Sequence, residues 1–107
     1  MDLEISVEEL ARRRREDPAD FVLLDCREAG ELDLASLDGA LHIPMGDIPS
    51  RLQQLDPERD LLVLCHHGQR SLSVTCYLRD QDYDRCWSVR GGIDLWSRRV
   101  DPELPRY

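Results

Sequence analysis

The sequence lacks any long hydrophobic run. Nothing in its 107 residues approaches the ~18 consecutive apolar positions of a membrane span. The opening stretch MDLEIS has neither the basic nor the apolar region of a secretory signal, so the expected location is the cytoplasm. There is no Cys-x-x-Cys pair, which removes the basis for a zinc knuckle or a dithiol redox motif. No internal repeat and no low-complexity segment is present, so neither a solenoid nor a linker is expected. Positive charge is in deficit: the net charge is −8. Such a surface repels phosphate backbones and anionic headgroups, so neither nucleic acid nor membrane is an expected partner. The one basic run, Arg12 to Arg15, is flanked by Glu8, Glu9, Glu16 and Asp17 and reads as a solvated helix face with local ion pairs.

What remains is an ordinary globular composition, 41% hydrophobic and 34% charged, of a length that suits a single domain over residues 1–107. The four cysteines, Cys26, Cys65, Cys76 and Cys86, are even in number. A cytoplasmic chain of this size keeps its thiols reduced and needs no staples, so disulfides are not expected.

Two apolar runs of strand length stand out, FVLLD from Phe21 to Asp25 and LLVLC from Leu61 to Cys65. Continuous rather than alternating apolarity is the mark of a strand buried on both faces. Around them lie shorter candidates: an edge strand at Leu3–Ile5, a strand at Ala40–Pro44 and another at Arg85–Val89. Helical periodicity appears from Val7 to about Arg15, with Ser6 and Glu9 as a capping box. It recurs over GDIPSRLQQL, from Ser71 to Asp80, and over IDLWSRR. CREAGELDLASLDG is not assigned, and VDPELPRY reads as an irregular tail. Strands alternating with helices imply an α/β domain with a mainly parallel sheet between helical layers. In such sheets ligands bind at the carboxyl ends of strands, where Cys65 stands.

The loop after Cys65 is built for an anion. Only the thiolate of cysteine is a good nucleophile. A short loop closing onto a helix N-terminus turns backbone N–H groups inward and adds the positive end of the helix dipole. Arg70, His66 and His67 add charge or donors, Gln69 and Ser71 complete the loop, and Gly68 permits a backbone conformation that other residues resist. Together these residues read as a pre-organised cradle with a nucleophile at its base.

CHHGQRS resembles the active-site loop Cys-x-x-Gly-x-Arg-Ser of the rhodanese-like sulfurtransferases. VLLDCRE, LDGALHIP and VRGGIDLW resemble three further segments of that family, in the same order, so the likeness spans Phe21 to Trp96. The resemblance implies a three-layer α/β/α fold with a central sheet of about five mainly parallel strands. It implies that Cys65 takes a sulfane sulfur from a donor such as thiosulfate, carries it as a persulfide, and passes it to cyanide or a thiol, a protein thiol among the possible acceptors. That persulfide is covalent, so no separate cofactor is expected. Residues His66 to Ser71 would hold the anion, and Arg70 would orient the loop through Asp25, Glu28 or Glu31. Asp25 and Arg27, at the end of a neighbouring strand, would support the site by lining the same crevice. Three departures are visible: Cys26 stands where valine is usual, Ser36 near where many members carry histidine, and the two histidines where Arg-Ser is common.

Other readings are weaker. Cys26, Cys76 and Cys86 lie in or beside apolar segments and read as small core residues rather than resolving thiols. His66 and His67 with Cys65 and His42 could be offered as metal ligands, but adjacent side chains rarely converge on one ion, so no metal is expected. His42 reads as a hydrogen-bonding histidine, and Trp87 and Trp96 as core. A cysteine phosphatase or arsenate reductase has a loop one residue longer than the four residues between Cys65 and Arg70. A non-catalytic binding module of the same fold would be expected to have lost Cys65.

Overall fold

The computed structural model describes residues 2–107. Five strands form one sheet, β1 (Glu4–Ile5), β2 (Phe21–Asp25), β3 (Leu41–His42), β4 (Asp60–Leu64) and β5 (Cys86–Val89). Their order is β1-β5-β4-β2-β3 and every pairing is parallel. Three α-helices lie between strands, α1 (Val7–Glu16), α2 (Ala29–Leu32) and α3 (Gln69–Asp80), and a fourth, α4 (Gly92–Arg99), follows β5. A 3₁₀ segment spans Met45–Gln54 where a regular helix was expected. Pro49 lies inside it and the backbone breaks at Arg51, so the run cannot complete α-helical hydrogen bonding.

The two apolar runs behave as strands buried on both faces because each feeds two cores. Leu23, Leu62, Leu64 and Val89 point to one side, against Val7 and Leu10 of α1 and Ile93 and Trp96 of α4. Leu24, Leu61 and Val63 point to the other, against Val74 and Leu78 of α3 and Ile48 of the 3₁₀ segment. Each such buried aliphatic side chain contributes roughly 1.5–3 kcal/mol, and β4 carries them on both faces. Its position is therefore the best fixed in the domain.

At the N-terminus of α1, Ser6 caps as expected, its Oγ accepting from the Glu9 amide at 3.0 Å. The Glu9 carboxylate, however, does not reach back to complete a capping box; it accepts two bonds from Arg12, at 2.9 and 2.8 Å. The reciprocal box forms instead on α2, between Glu28 and Glu31, in the stretch left unassigned from sequence. The basic run is only partly a solvated face. Arg13 reaches across to Asp60 at the start of β4 and Arg14 lies over the Trp96 ring. Cys26 and Cys86 are buried, but Cys76 is exposed, which corrects its reading as a core residue. Two positions beyond Val74, it falls on the opposite side of α3. Among the described residues no helix is long and apolar enough to cross a membrane.

The strand order places the site. Beyond its carboxyl end β2 leads to β3 on one side, whereas β4 leads to β5 on the other. The loops leaving these two adjacent strands diverge at the switch point, the place where open α/β sheets bind ligands. Cys26 and Arg27 follow one strand and Cys65 the other.

Candidate active site

Cys65 is the first residue beyond β4 and is 1% exposed. Its Sγ accepts the backbone amides of Gly68 at 3.1 Å and Ser71 at 3.3 Å, and lies 3.3 Å from the Ser71 hydroxyl. That hydroxyl is 2.7 Å from the hydroxyl of Ser88 on β5. Ser71 and Ser88 are both fully buried. When Cys65 is a thiolate, Ser88 donates to Ser71 and Ser71 donates to sulfur, so three donors meet one charge. Of the expected loop donors, the amides of Gly68 and Ser71 are the ones that reach Sγ. Ser88 went unnoticed in the sequence, although a serine on the buried face of a strand is a signal worth reading.

Two glycines allow this curl. Gly68, the residue before α3, has φ +100°, and a side chain there would press on the Gly91 amide. Gly92 has φ +61°, and a Cβ would overlap the carbonyl oxygens of Cys65 and His66. That closeness lets the first turn of α4 hold the loop from behind. The amide of Ile93 donates to the Cys65 carbonyl at 2.9 Å and that of Asp94 to the His66 carbonyl at 3.0 Å. Gly92 of VRGGIDLW thus serves the loop.

Arg70 does not hydrogen-bond the sulfur, although its charge lies near enough to act on Cys65. It donates two bonds to Glu31 of α2, at 2.6 and 2.9 Å, choosing one of the three carboxylates considered. Glu31 also accepts from the Tyr107 hydroxyl at 2.7 Å and the Glu28 amide at 3.1 Å. These bonds, Arg70 foremost, pull its carboxyl down to about 2. Asp25 and Arg27 do not line the crevice: both are fully buried and pair with each other. Arg27 donates to Asp25 through Nε at 3.0 Å and Nη2 at 2.7 Å, and to the Tyr107 hydroxyl through Nη1 at 2.9 Å. Their place is beneath α2, one step removed from the loop. His42 bonds the Arg27 carbonyl at 2.7 Å from the same side.

His66 is half-buried between two rings, stacked on Tyr107 at 3.8 Å and 8° and against His67 at 3.8 Å. Burial first, and the neighbouring His67 second, lower its pKa, so its ring favours the neutral form. His67 and Gln69 are exposed. Neither Cys65 nor His42 joins the histidines as a ligand set; it is Asp94 whose carboxylate comes near both rings. That carboxylate already accepts from Arg106 at 3.0 Å and faces Arg98. Tyr107 was missed from sequence, since an irregular tail carries no periodicity to reveal what it touches.

The buried sulfur in an amide loop, its place at the carboxyl end of β4 and the glycine-held turn coincide with a match to the Rhodanese-like domain over residues 6–99. The chain belongs to the rhodanese-like family. A sulfurtransferase of Allochromatium vinosum is 37% identical over 99 residues, covering 92% of each chain. The chloroplastic rhodanese-like/PpiC domain-containing protein 12 of Arabidopsis thaliana is 36% identical over 111 residues. That match covers 97% of this chain and 37% of the plant protein's length. Among solved structures, a rhodanese-like domain protein of Staphylococcus aureus superposes with a TM-score of 0.84 at 26% identity. It covers 100% of this chain and 99% of that one. The rhodanese fold supplies the three layers and the parallel sheet expected from sequence.

Proposed function

We propose that the chain is a sulfurtransferase that carries a sulfane sulfur on Cys65. The observation that carries this reading is the Cys65 Sγ held by the Gly68 and Ser71 amides and the Ser71 hydroxyl. Those donors stabilise a thiolate before reaction and balance the charge that returns to sulfur after it.

In the first half-reaction the Cys65 thiolate attacks the outer sulfur of a donor such as thiosulfate. The donor's S–S bond breaks and sulfite leaves with its electron pair. The chain then bears a persulfide, and no other cofactor is required. In the second half an acceptor attacks the outer sulfur, the persulfide bond breaks, and the Cys65 thiolate is restored. Cyanide would leave as thiocyanate; a small or protein thiol would leave as a persulfide.

The charge inventory bears on the donor. The Arg70 guanidinium is engaged by Glu31, and His66 favours its neutral form. The donors nearest sulfur are neutral dipoles, which hold an anion with less preference for a second negative charge than a free guanidinium would. A small donor fits the 1% exposure of Cys65 better than a bulky one. The net charge of −8 supports work on small molecules and thiols, apart from nucleic acid and membranes, and a cytoplasmic setting suits reduced thiols.

Incubation with thiosulfate followed by intact-mass measurement tests the proposal. One added sulfur atom is expected, mapped to Cys65 and absent in Cys65→Ala. Ser71→Ala removes one hydroxyl donor and should slow loading roughly 10-fold or more, the worth of one charge-assisted hydrogen bond. Loading that survives in Cys65→Ala would overturn the reading. So would hydrolysis of an aryl phosphate with no persulfide formed.

A further inference from the structure

Cys65 has a second thiol beside it that the transfer reaction does not use. On the face of the sheet that packs against α3, β2 and β4 pair in register, Val22 with Leu61 and Leu24 with Val63. The Cys26 amide donates to the Leu64 carbonyl at 3.0 Å, so the ladder continues one residue past the strands. The next pair on that face is Cys26 with Cys65. Adjacent parallel strands lie about 4.8 Å apart, inside the roughly 4.4–6.8 Å Cα separation that a disulfide spans. Both side chains are 1% exposed and belong to the same buried cluster. The other two cysteines cannot substitute. Cys86 pairs with Leu61, four residues or about 13 Å down the strand from Cys65, and Cys76 is exposed on α3.

We propose that Cys26 is the resolving thiol of Cys65, and that the two form a reversible disulfide when hydrogen peroxide oxidises the site. The inference rests on the reading of Cys65 as a reactive sulfur. The Cys65 thiolate attacks one peroxide oxygen, the O–O bond breaks, and hydroxide leaves; Cys65 becomes a sulfenic acid and is the oxidised partner. The Cys26 sulfur then attacks Cys65 Sγ. The S–O bond breaks, the S–S bond forms, and the Cys26 proton departs with the hydroxyl as water. Two thiols and one peroxide give one disulfide and two waters.

The surroundings set the order of these events. Burial first, then the charge of Cys65, then that of Asp25 push the Cys26 thiol up to about 12. Cys26 therefore stays protonated and does not compete for a sulfur donor. Conversion of Cys65 to a neutral sulfenic acid removes one of those opposing charges at the moment Cys26 is needed. Fixed proximity replaces the missing nucleophilicity, because neighbouring groups on paired strands act at high effective concentration. Without a resolving thiol a sulfenic acid goes on to the sulfinic acid, which thiols do not reduce. The pair would spare the sulfur carrier that loss.

The experiment treats the full chain with a slight excess of hydrogen peroxide, alkylates free thiols, and maps peptides by mass. A Cys26–Cys65 cross-linked peptide is expected, with loss of thiosulfate-dependent loading and recovery of both thiols and loading in dithiothreitol. Cys26→Val is expected to load sulfur like the parent before oxidation. After peroxide it should show Cys65 sulfinic acid and no recovery. Cys26→Ala repeats the measurement should valine prevent folding. Absence of the cross-link in the parent chain overturns the proposal, as does a cross-link from Cys65 to another cysteine. Equal recovery of the Cys26 variants and the parent overturns it too. Peptide mapping needs no sulfur transfer, so a chain that cross-links yet never loads from thiosulfate would sink the proposed function and not this inference.

Discussion

Arg70 and Glu31 face each other fork to fork, at 2.6 and 2.9 Å, and join the loop around Cys65 to helix α2. The pair sets the role of the loop's one arginine. It shapes the cradle through Glu31, while its charge still acts on Cys65. A lysine at position 70 would keep the charge but lose the second parallel bond. Arg70→Lys and Arg70→Ala are therefore both expected to slow persulfide loading about 10-fold or more, with lysine rescuing little. A double-mutant cycle with Glu31→Gln should return a coupling of about 1–3 kcal/mol in urea unfolding. Full rescue by lysine would show that charge, not geometry, is what the loop needs.

The same pair writes a pH dependence. The Glu31 carboxyl is lowered from 4.5 to about 2, chiefly by the bond from Arg70. A carboxyl whose pKa falls on folding stabilises the fold fully above its unfolded value, and that share is lost as pH falls toward the folded value. The window here runs from about 4.5 down to about 2. The contribution is up to about 3 kcal/mol. Urea unfolding of the parent and Glu31→Gln at pH 7, 5, 4 and 3 checks it. The gap between the two should be constant above pH 5 and shrink below 4.5.

Gly92 offers a sharper test of how the loop is held. Its φ of +61° and the carbonyls of Cys65 and His66 leave no room for a Cβ. Gly92→Ala must move either the loop or the start of α4. A loss of about 2 kcal/mol or more is expected, together with loss of loading. Gly30 in α2 has open space around it and no unusual φ. Gly30→Ala should therefore be neutral or stabilise by up to about 1 kcal/mol, the helix preference for alanine.

Much of this was legible because burial leaves a mark in sequence. FVLLD and LLVL have the length and continuous apolarity of strands with apolar layers on both sides, which implied a mainly parallel sheet and a strand carboxyl end at Cys65. Spacing also exposed the loop, since Cys65, Gly68, Arg70 and Ser71 each have a chemical reason to be there. What was hidden depended on register and on long-range contacts. Nothing local says that Cys26 will lie beside Cys65, since that follows from β2 being the neighbour of β4. Cys76 was misplaced because apolar company was read without helical phase: Val74 and Leu78 face inward and Cys76, midway between them, does not. Glu31 could not be chosen from Asp25, Glu28 and Glu31 until Asp25 was seen to be taken by Arg27.

Tyr107 is the residue that sequence could not reveal, and it separates two effects that meet at the site. Its hydroxyl donates to Glu31 at 2.7 Å and accepts from Arg27 at 2.9 Å, while its ring covers His66. Tyr107→Phe keeps the stack and removes both hydrogen bonds. It should cost about 1–3 kcal/mol, because Arg27 and Glu31 are charged groups that lose a partner. Tyr107→Ala removes the stack as well. His66, whose pKa is lowered mainly by burial, should then titrate nearer its ordinary value, while in Tyr107→Phe it should stay lowered. Following the His66 ring by NMR across pH 4 to 8 distinguishes the two. An unchanged His66 titration in Tyr107→Ala would confine the tyrosine to its hydroxyl contacts and leave the histidine's neutrality to the rest of the loop.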